Sequence, residues 1–217
     1  MILIIEGNRC DQGMPETEKL AIEGGEPTIK EPLPLWPWFT EEIIQAAMEP
    51  LRTGKVNYWT GKLGMEFERK FAEWNGAKYC ITTANCTSAL HTAVAALDIG
   101  PGDEVIVPSY TFIATSFCVV QAGAIPIFAD VRRHDHCIDP EDIERKITTR
   151  SRAIIPVHLY GNVAEMDGIM EIAEKYDLFV IEDCAEAHGA IHKGRKVGTI
   201  GHLGCFSFCQ NKTFTTG

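Results

Sequence analysis

Past residue 40 the chain alternates between two kinds of apolar pattern. Short, almost unbroken apolar runs occur at 79–83, 104–107, 125–131, 153–158, 178–181 and 205–207. Between them apolar residues return every three or four positions. The first kind reads as buried strand, the second as amphipathic helix. A helix is predicted after Thr40, which is placed to cap it, with Glu41 and Glu42 in its first turn and Ile43, Ile44, Ala47 and Leu51 on one face. A second covers 63–74, where Phe67, Phe71 and Trp74 recur at helical spacing and are expected in the core. Further helices are predicted at 89–97, from Ser109 through Gly123, at 140–147 with Asp139 as cap and Pro140 in first position, and at 166–176. In the last, Met166, Ile169, Met170, Ala173 and Tyr176 form a packing stripe. Strand and helix units repeating at this length predict an α/β fold, a mostly parallel sheet covered on both faces with right-handed crossovers.

The amino-terminal part breaks this rhythm. Residues 1–18 are polar without apolar period and read as a tail. Gly24, Gly25 and Pro27, then Pro32, Pro34 and Pro37 with Trp36 and Trp38, predict an extended arm. The expected division is therefore a tail and arm over 1–38 and one large domain over 39–217. The apolar run at 2–5 is too short for a signal-peptide core or a bilayer span, which favours a cytoplasmic protein. Across 217 residues the net charge is −10, which argues against a nucleic-acid or anionic-membrane partner. Eight cysteines without a C-x-x-C pair read as reduced and mostly buried thiols. The run from Arg132 to Cys137 holds metal-ligating residue types, but between a strand and a helix it reads as a solvated polar loop, and no metal is expected.

The candidate chemistry sits at strand ends. The run at 178–181 leads to Asp183, and open α/β sheets bind ligands outside the carboxyl ends of their strands. A later short strand ends in the hydroxyl of Ser207 and is followed five residues on by Lys212. An amine able to form a Schiff base and a carboxylate able to keep a pyridine nitrogen protonated are what pyridoxal phosphate requires. Alone, such an Asp is often a turn or cap residue and such a Lys is usually solvated. The predicted strand at 79–83 runs directly into a helix whose first turn is Asn85, Cys86, Thr87 and Ser88. Its free amides would make a phosphate seat. Phe112, just past a strand end, is placed to stack on a flat ring. A nucleotide-binding oxidoreductase is disfavoured, because residues 79–91 contain no glycine and so no G-x-G-x-x-G.

Seven blocks in order, at 24–27, 59–61, 85–91, 102–108, 156–161, 182–190 and 206–212, resemble the sugar aminotransferases of the DegT/StrS type. That resemblance covers nearly the whole chain beyond Lys19. It implies the large domain of the aspartate-aminotransferase-like fold (fold type I), an α/β three-layer sandwich with a mostly parallel sheet, and pyridoxal 5'-phosphate as cofactor. By match to the family, Lys212 carries the cofactor and then acts as the base, and Asp183 faces the pyridine nitrogen. Cys86, Thr87, Ser88 and Ser207 hold the phosphate, Phe112 covers the ring, and Glu186 lies near the ring hydroxyl, where relatives often have Gln or His. The resemblance implies a homodimer that moves an amino group from glutamate or glutamine to a nucleotide-linked keto sugar or a keto cyclitol. Lysine at 212 distinguishes this chain from the sugar dehydratases of the family, which carry histidine there. Relatives continue past Gly217 with more of the sheet and a small carboxyl-terminal domain. The chain is therefore expected to be a fragment, and a non-catalytic scaffold of the same fold is the alternative.

Overall fold

The computed structural model describes residues 19–33 and 35–216, in two compact units, residues 1–36 and 37–217. The tail at 1–18 lies outside the described residues. Among the described residues of the first unit a 3-10 turn, Ala21–Glu23, stops at Gly24, whose φ of 92° is open to glycine at little cost. Beyond it the chain is irregular, as expected of so many prolines.

The second unit opens with two helices, α1 (Glu41–Thr53) and α2 (Leu63–Asn75). Thr40 Oγ1 caps α1 by accepting from Ile43 N at 3.2 Å, as its position in the sequence predicts. There follow α3 (Cys86–Ala96), β1 (Glu104–Pro108), α4 (Ala114–Gln121), β2 (Ile125–Ala129), α5 (Pro140–Lys146), β3 (Ser151–Ile154), α6 (Met166–Tyr176) and β4 (Phe179–Asp183). A two-residue-stranded hairpin, β5 (Ile191–His192) and β6 (Arg195–Lys196), precedes the last strand, β7 (Leu203–Cys205). Lys193 and Gly194 at its tip both have positive φ, the geometry that a tight hairpin turn demands.

β1, β2, β3, β4 and β7 form one parallel sheet in the order β2-β1-β3-β4-β7. Side chains alternate across it, and each face has its own core. Val105, Val107, Ala153, Ile155 and Ile181 pack with α3 and α4. Ile106, Ile154 and Val180 pack with Met166, Ile169 and Ala173 of α6 and Ile143 of α5. Two cores on opposite faces of one sheet are the three layers the pattern predicts. Ile106, Ile154 and Ile181 are wholly buried, and each such side chain contributes about 1.5–3 kcal/mol of transfer free energy.

Several boundaries differ from expectation. Residues 79–83 form no strand; Tyr79 and Ile81 are exposed, and no backbone ladder is available to the segment among the described residues. Apolar residues alone do not make a strand without a neighbour to pair with. Glu68 holds the segment instead, accepting from Thr82 N and Oγ1 at 2.7 and 2.8 Å. β7 stops at Cys205, so Ser207 lies in the loop beyond it. α4 begins at Ala114, after Phe112, and β4 runs on to include Asp183. Phe67, Phe71 and Trp74 sit outside both main cores. They build a half-buried aromatic cluster with Phe206 and Phe208, with Phe71 and Phe206 centroids 5.0 Å apart. Nor is the loop at 132–137 simply solvated: Arg132 pairs with Asp135, and Cys137 is buried.

Candidate active site

Strand β4 delivers two consecutive carboxylates to opposite faces of the sheet, because successive side chains of a strand point to opposite sides. Glu182 is wholly buried and fully partnered. Its Oε1 accepts from Ile200 N and Gly201 N, both at 2.7 Å, and its Oε2 from Gly198 N at 2.8 Å and His158 Nε2 at 2.9 Å. His158 Nδ1 accepts from Ala164 N at 3.1 Å, so the ring proton is on Nε2 and His158 is the donor to Glu182. Burial works against the Glu182 charge, but His158 and the amides outweigh it and hold the carboxyl below its usual range. His158, Glu182 and Cys184 are close enough together to suggest a metal site. Every ligating atom of the first two already has a partner, so the group is a closed structural cluster.

Asp183, on the other face, is 5% exposed and has less support. Oδ2 accepts from Thr115 Oγ1 at 2.9 Å and Oδ1 from Ala185 N at 3.2 Å. Burial dominates and pushes its carboxyl up, against the amide of Ala185, the hydroxyl of Thr115 and the charge of Lys212. No ion pair of Asp183 exists among the described residues. The site thus holds a buried acid that would ionise more readily with a cationic partner.

α3 begins beside it. Asn85 Oδ1 accepts from Ser88 N at 2.9 Å, so the Ser88 amide is used by the cap. The amides of Cys86 and Thr87 have no acceptor among the described residues and remain available to an anion. Burial chiefly pushes the Cys86 thiol up, with the Asp183 charge adding to it and the Lys212 charge opposing it. Ser207, 7% exposed, accepts from Cys209 N at 3.4 Å, and its own proton has no acceptor among the described residues.

Lys212 Nζ lies 3.0 Å from Glu186 Oε1, and Glu186 Oε2 accepts from Tyr160 N at 3.0 Å. Burial opposes the Glu186 charge, yet the Tyr160 amide and the lysine hold its carboxyl below the usual range. These groups, with Asn211 and Thr213, line an open cleft of about 300 Å³. Phe112 stands 71% exposed three residues before Thr115, and no other ring touches it among the described residues. His188 is surrounded by Phe206, Phe208 and Phe214, and neither ring nitrogen is hydrogen-bonded among the described residues. It is a packing residue, and burial lowers its pKa.

Of the residues the sequence pointed to, Glu186 and Lys212 meet at the cleft, Asp183 ends β4, Ser207 lies just beyond β7, and Cys86 opens α3. The sequence did not point to Thr115, the hydroxyl on Asp183, nor to Glu182, which follows the predicted strand at 178–181 and was given no role. A second acid next to Asp183 at the end of an apolar run, with His158 closing the predicted run at 153–158, was the available signal for the latter. The residues present fit pyridoxal phosphate: two unclaimed amides and a free hydroxyl for the phosphate, a buried acid lacking a cation, and a lysine at the cleft.

Residues 37–217 match the model of the DegT/DnrJ/EryC1/StrS aminotransferase family. The chain is 38% identical over 207 residues to an L-glutamine:2-deoxy-scyllo-inosose aminotransferase of Streptomyces kanamyceticus, covering 93% of this chain and 48% of that protein. Among solved structures, the aminotransferase from Psychrobacter cryohalolentis superposes with a TM-score of 0.84 at 51% identity, covering 86% of this chain and 47% of that one. A putative sugar aminotransferase from Streptococcus pneumoniae, in its PLP form, gives a TM-score of 0.80 at 30% identity, covering 84% of this chain and 50% of that one. The chain therefore spans about half the length of the curated relatives it matches. It belongs to the DegT/DnrJ/EryC1/StrS aminotransferase family.

Proposed function

We propose that this family member supplies the cofactor-binding part of a pyridoxal-phosphate-dependent aminotransferase. It would move an amino group from glutamate or glutamine to a keto sugar or keto cyclitol. The observation that supports this reading is the Lys212 amine at the cleft, held by Glu186, together with Asp183, buried at the carboxyl end of β4 without a cation among the described residues.

Bound there, the cofactor supplies an electron sink for a carbanion at the substrate carbon. Asp183, oriented by Thr115 and Ala185, would supply the carboxylate that keeps the ring nitrogen protonated. The amides of Cys86 and Thr87 and the hydroxyl of Ser207 would hold the phosphate, and Phe112 would pack on the ring. Ser88, assigned to the same seat by sequence, contributes through its hydroxyl, since its amide is committed to Asn85. Lys212 provides the amine for attachment and the base that moves a proton at the substrate carbon. Glu186 orients the Lys212 amine while Tyr160 N holds Glu186. The enzyme acts as a cytoplasmic homodimer, a setting consistent with the free cysteines found among the described residues. No helix among the described residues is long and apolar enough to cross a membrane.

The test is chemical. Protein incubated with pyridoxal phosphate and then borohydride should carry the reduced adduct on Lys212 by peptide mass spectrometry, and Lys212→Ala should carry none. Adduct spread over surface lysines at equal yield would end this assignment.

A further inference from the structure

One buried titratable side chain takes no part in the chemistry proposed above. His188 lies in the loop after β4, two residues past Glu186, and both its ring nitrogens are buried without a hydrogen-bond partner among the described residues. Its ring is enclosed by Phe206, Phe208 and Phe214, with centroids 5.5, 5.2 and 5.8 Å away. All three phenyls belong to the segment after β7. Phe206 and Phe208 flank Ser207, while Phe208 and Phe214 flank the stretch that carries Lys212. A phenyl would fill the same space without stranding two polar atoms, so the imidazole calls for a reason beyond packing.

The two segments are joined by side chains. Backbone pairing of β4 with β7 ends where Cys184 N donates to Cys205 O at 2.8 Å. Beyond it Glu186 meets Lys212 at 3.0 Å, and His188 meets the three rings. Thr216 N donates to Phe208 O at 3.1 Å, closing a turn with Lys212 inside it. Phe206 and Phe208 have further support from Phe67 and Phe71 of α2. Phe214 is 53% exposed, and His188 is its one ring contact among the described residues. Gly189, with φ of 78°, sets the His188 loop against α2: a Cβ there would come within 3.5 Å of Trp74. His188 thus seats the lysine turn on the loop that carries its partner, Glu186.

We infer that His188 is a positioning residue: as the neutral imidazole it holds the Lys212 turn against the Glu186 loop, and as the imidazolium it releases that turn. The inference rests on the aminotransferase reading in taking Lys212 as the reactive lysine. The surrounding charges agree with it. Lys212, the charged residue of the caging segment, disfavours a proton on His188. On α2, Arg69 pairs with Glu73 and Lys70 with Glu66 at the surface. Lys196 lies beyond Trp74, its Nζ 4.1 Å from that ring centroid. Glu186, the carboxylate of the same loop, is engaged by Lys212 and Tyr160 N. The backbone of Ser207 and the phenyl faces favour the charged ring, but burial outweighs them and holds the histidine below its ordinary range. The seated turn therefore prefers the neutral ring. Its contribution is complete above the ordinary histidine range and is lost as pH falls through the lowered value.

The test treats the full chain with pyridoxal phosphate and cyanoborohydride from about pH 7.5 down to about pH 5, spanning the histidine range. Reduced adduct on Lys212 is divided by that on exposed Lys55 in the same digest, which cancels the loss of free amine common to all lysines. In the parent the ratio should fall about fivefold or more toward acid, whereas His188→Phe, which refills the cage without a titrating group, should hold it within about twofold. Enriched Lys212 adduct that does not fall in acid, or an equal fall in His188→Phe, would overturn the inference. NMR of the parent chain decides the matter even if the variant misfolds. The His188 ring proton should titrate below the ordinary range, and the Phe208 and Phe214 ring resonances should move with the same midpoint. Phenyl resonances indifferent to that titration would equally end the proposal. Failure of the aminotransferase reading looks different: Lys212 would take no more adduct than Lys55 at any pH, while the phenyl resonances still followed His188.

Discussion

Glu182 and Asp183 are adjacent carboxylates at the end of one buried strand, and the sheet sends them into opposite environments. Glu182 meets three amides and the proton of His158, so its charge is satisfied from within the fold. Asp183 meets one amide and one hydroxyl and has no cation beside it among the described residues, and burial pushes its carboxyl up. A saturated buried ion serves structure, since any new ligand must first break its bonds. An under-compensated one is destabilised until a partner of opposite sign arrives, which is the condition of a binding site. The same residue chemistry, one position apart, thus yields a tie for the loop at 197–201 on one face and, on the other, a buried acid proposed to meet the cofactor.

The sharpest way to break this contrast is to remove each carboxylate in turn. Glu182→Ala strands His158 and three amides in the interior and should cost about 3–5 kcal/mol of unfolding free energy, measured by denaturant titration. A loss under about 1 kcal/mol would make the cluster ordinary polar packing. For Asp183→Asn the expectation is reversed: stability within about 1 kcal/mol of the parent, and a cofactor half-reaction slowed by about 10²–10³, the effect of removing one preorganised charge contact. An unaltered rate in stopped-flow absorbance would deny Asp183 its part. The smallest effect concerns pH. Because the folded carboxyl of Glu182 lies below its unfolded value, its contribution is present above the usual carboxylate range and is lost as pH falls through the depressed value. A single such group changes stability by at most about 1.4 kcal/mol per pH unit, and Glu182→Gln should flatten the acid limb of a thermal-melt series by that order.

Alternation of strand and helix, the α1 cap at Thr40, the α5 cap at Asp139 and the length of α6 were all legible from local pattern. The acid at the end of β4, the small-residue turn opening α3 and the lysine loop were legible as well, because residue type and place in an α/β sheet already limit their chemistry. Residues 79–83 were misread because a strand is a property of two segments and the pattern reports only one. Phe67 and Phe71 were placed in the core because helical spacing reveals a face without revealing what covers it.

By itself the chain order determined the layers, the carboxyl edge where chemistry collects, and the residues able to meet a phosphate, a ring nitrogen and a carbonyl. Only the tertiary structure decided which of two neighbouring acids is left unmatched, that Asn85 consumes the Ser88 amide, and that Phe206, Phe208 and Phe214 enclose His188. Hydrophobic period is written along the chain and survives translation into sequence. Charge compensation is set by distances between residues far apart in it, such as Thr115 and Asp183 or His158 and Glu182, and these exist only once the sheet has formed.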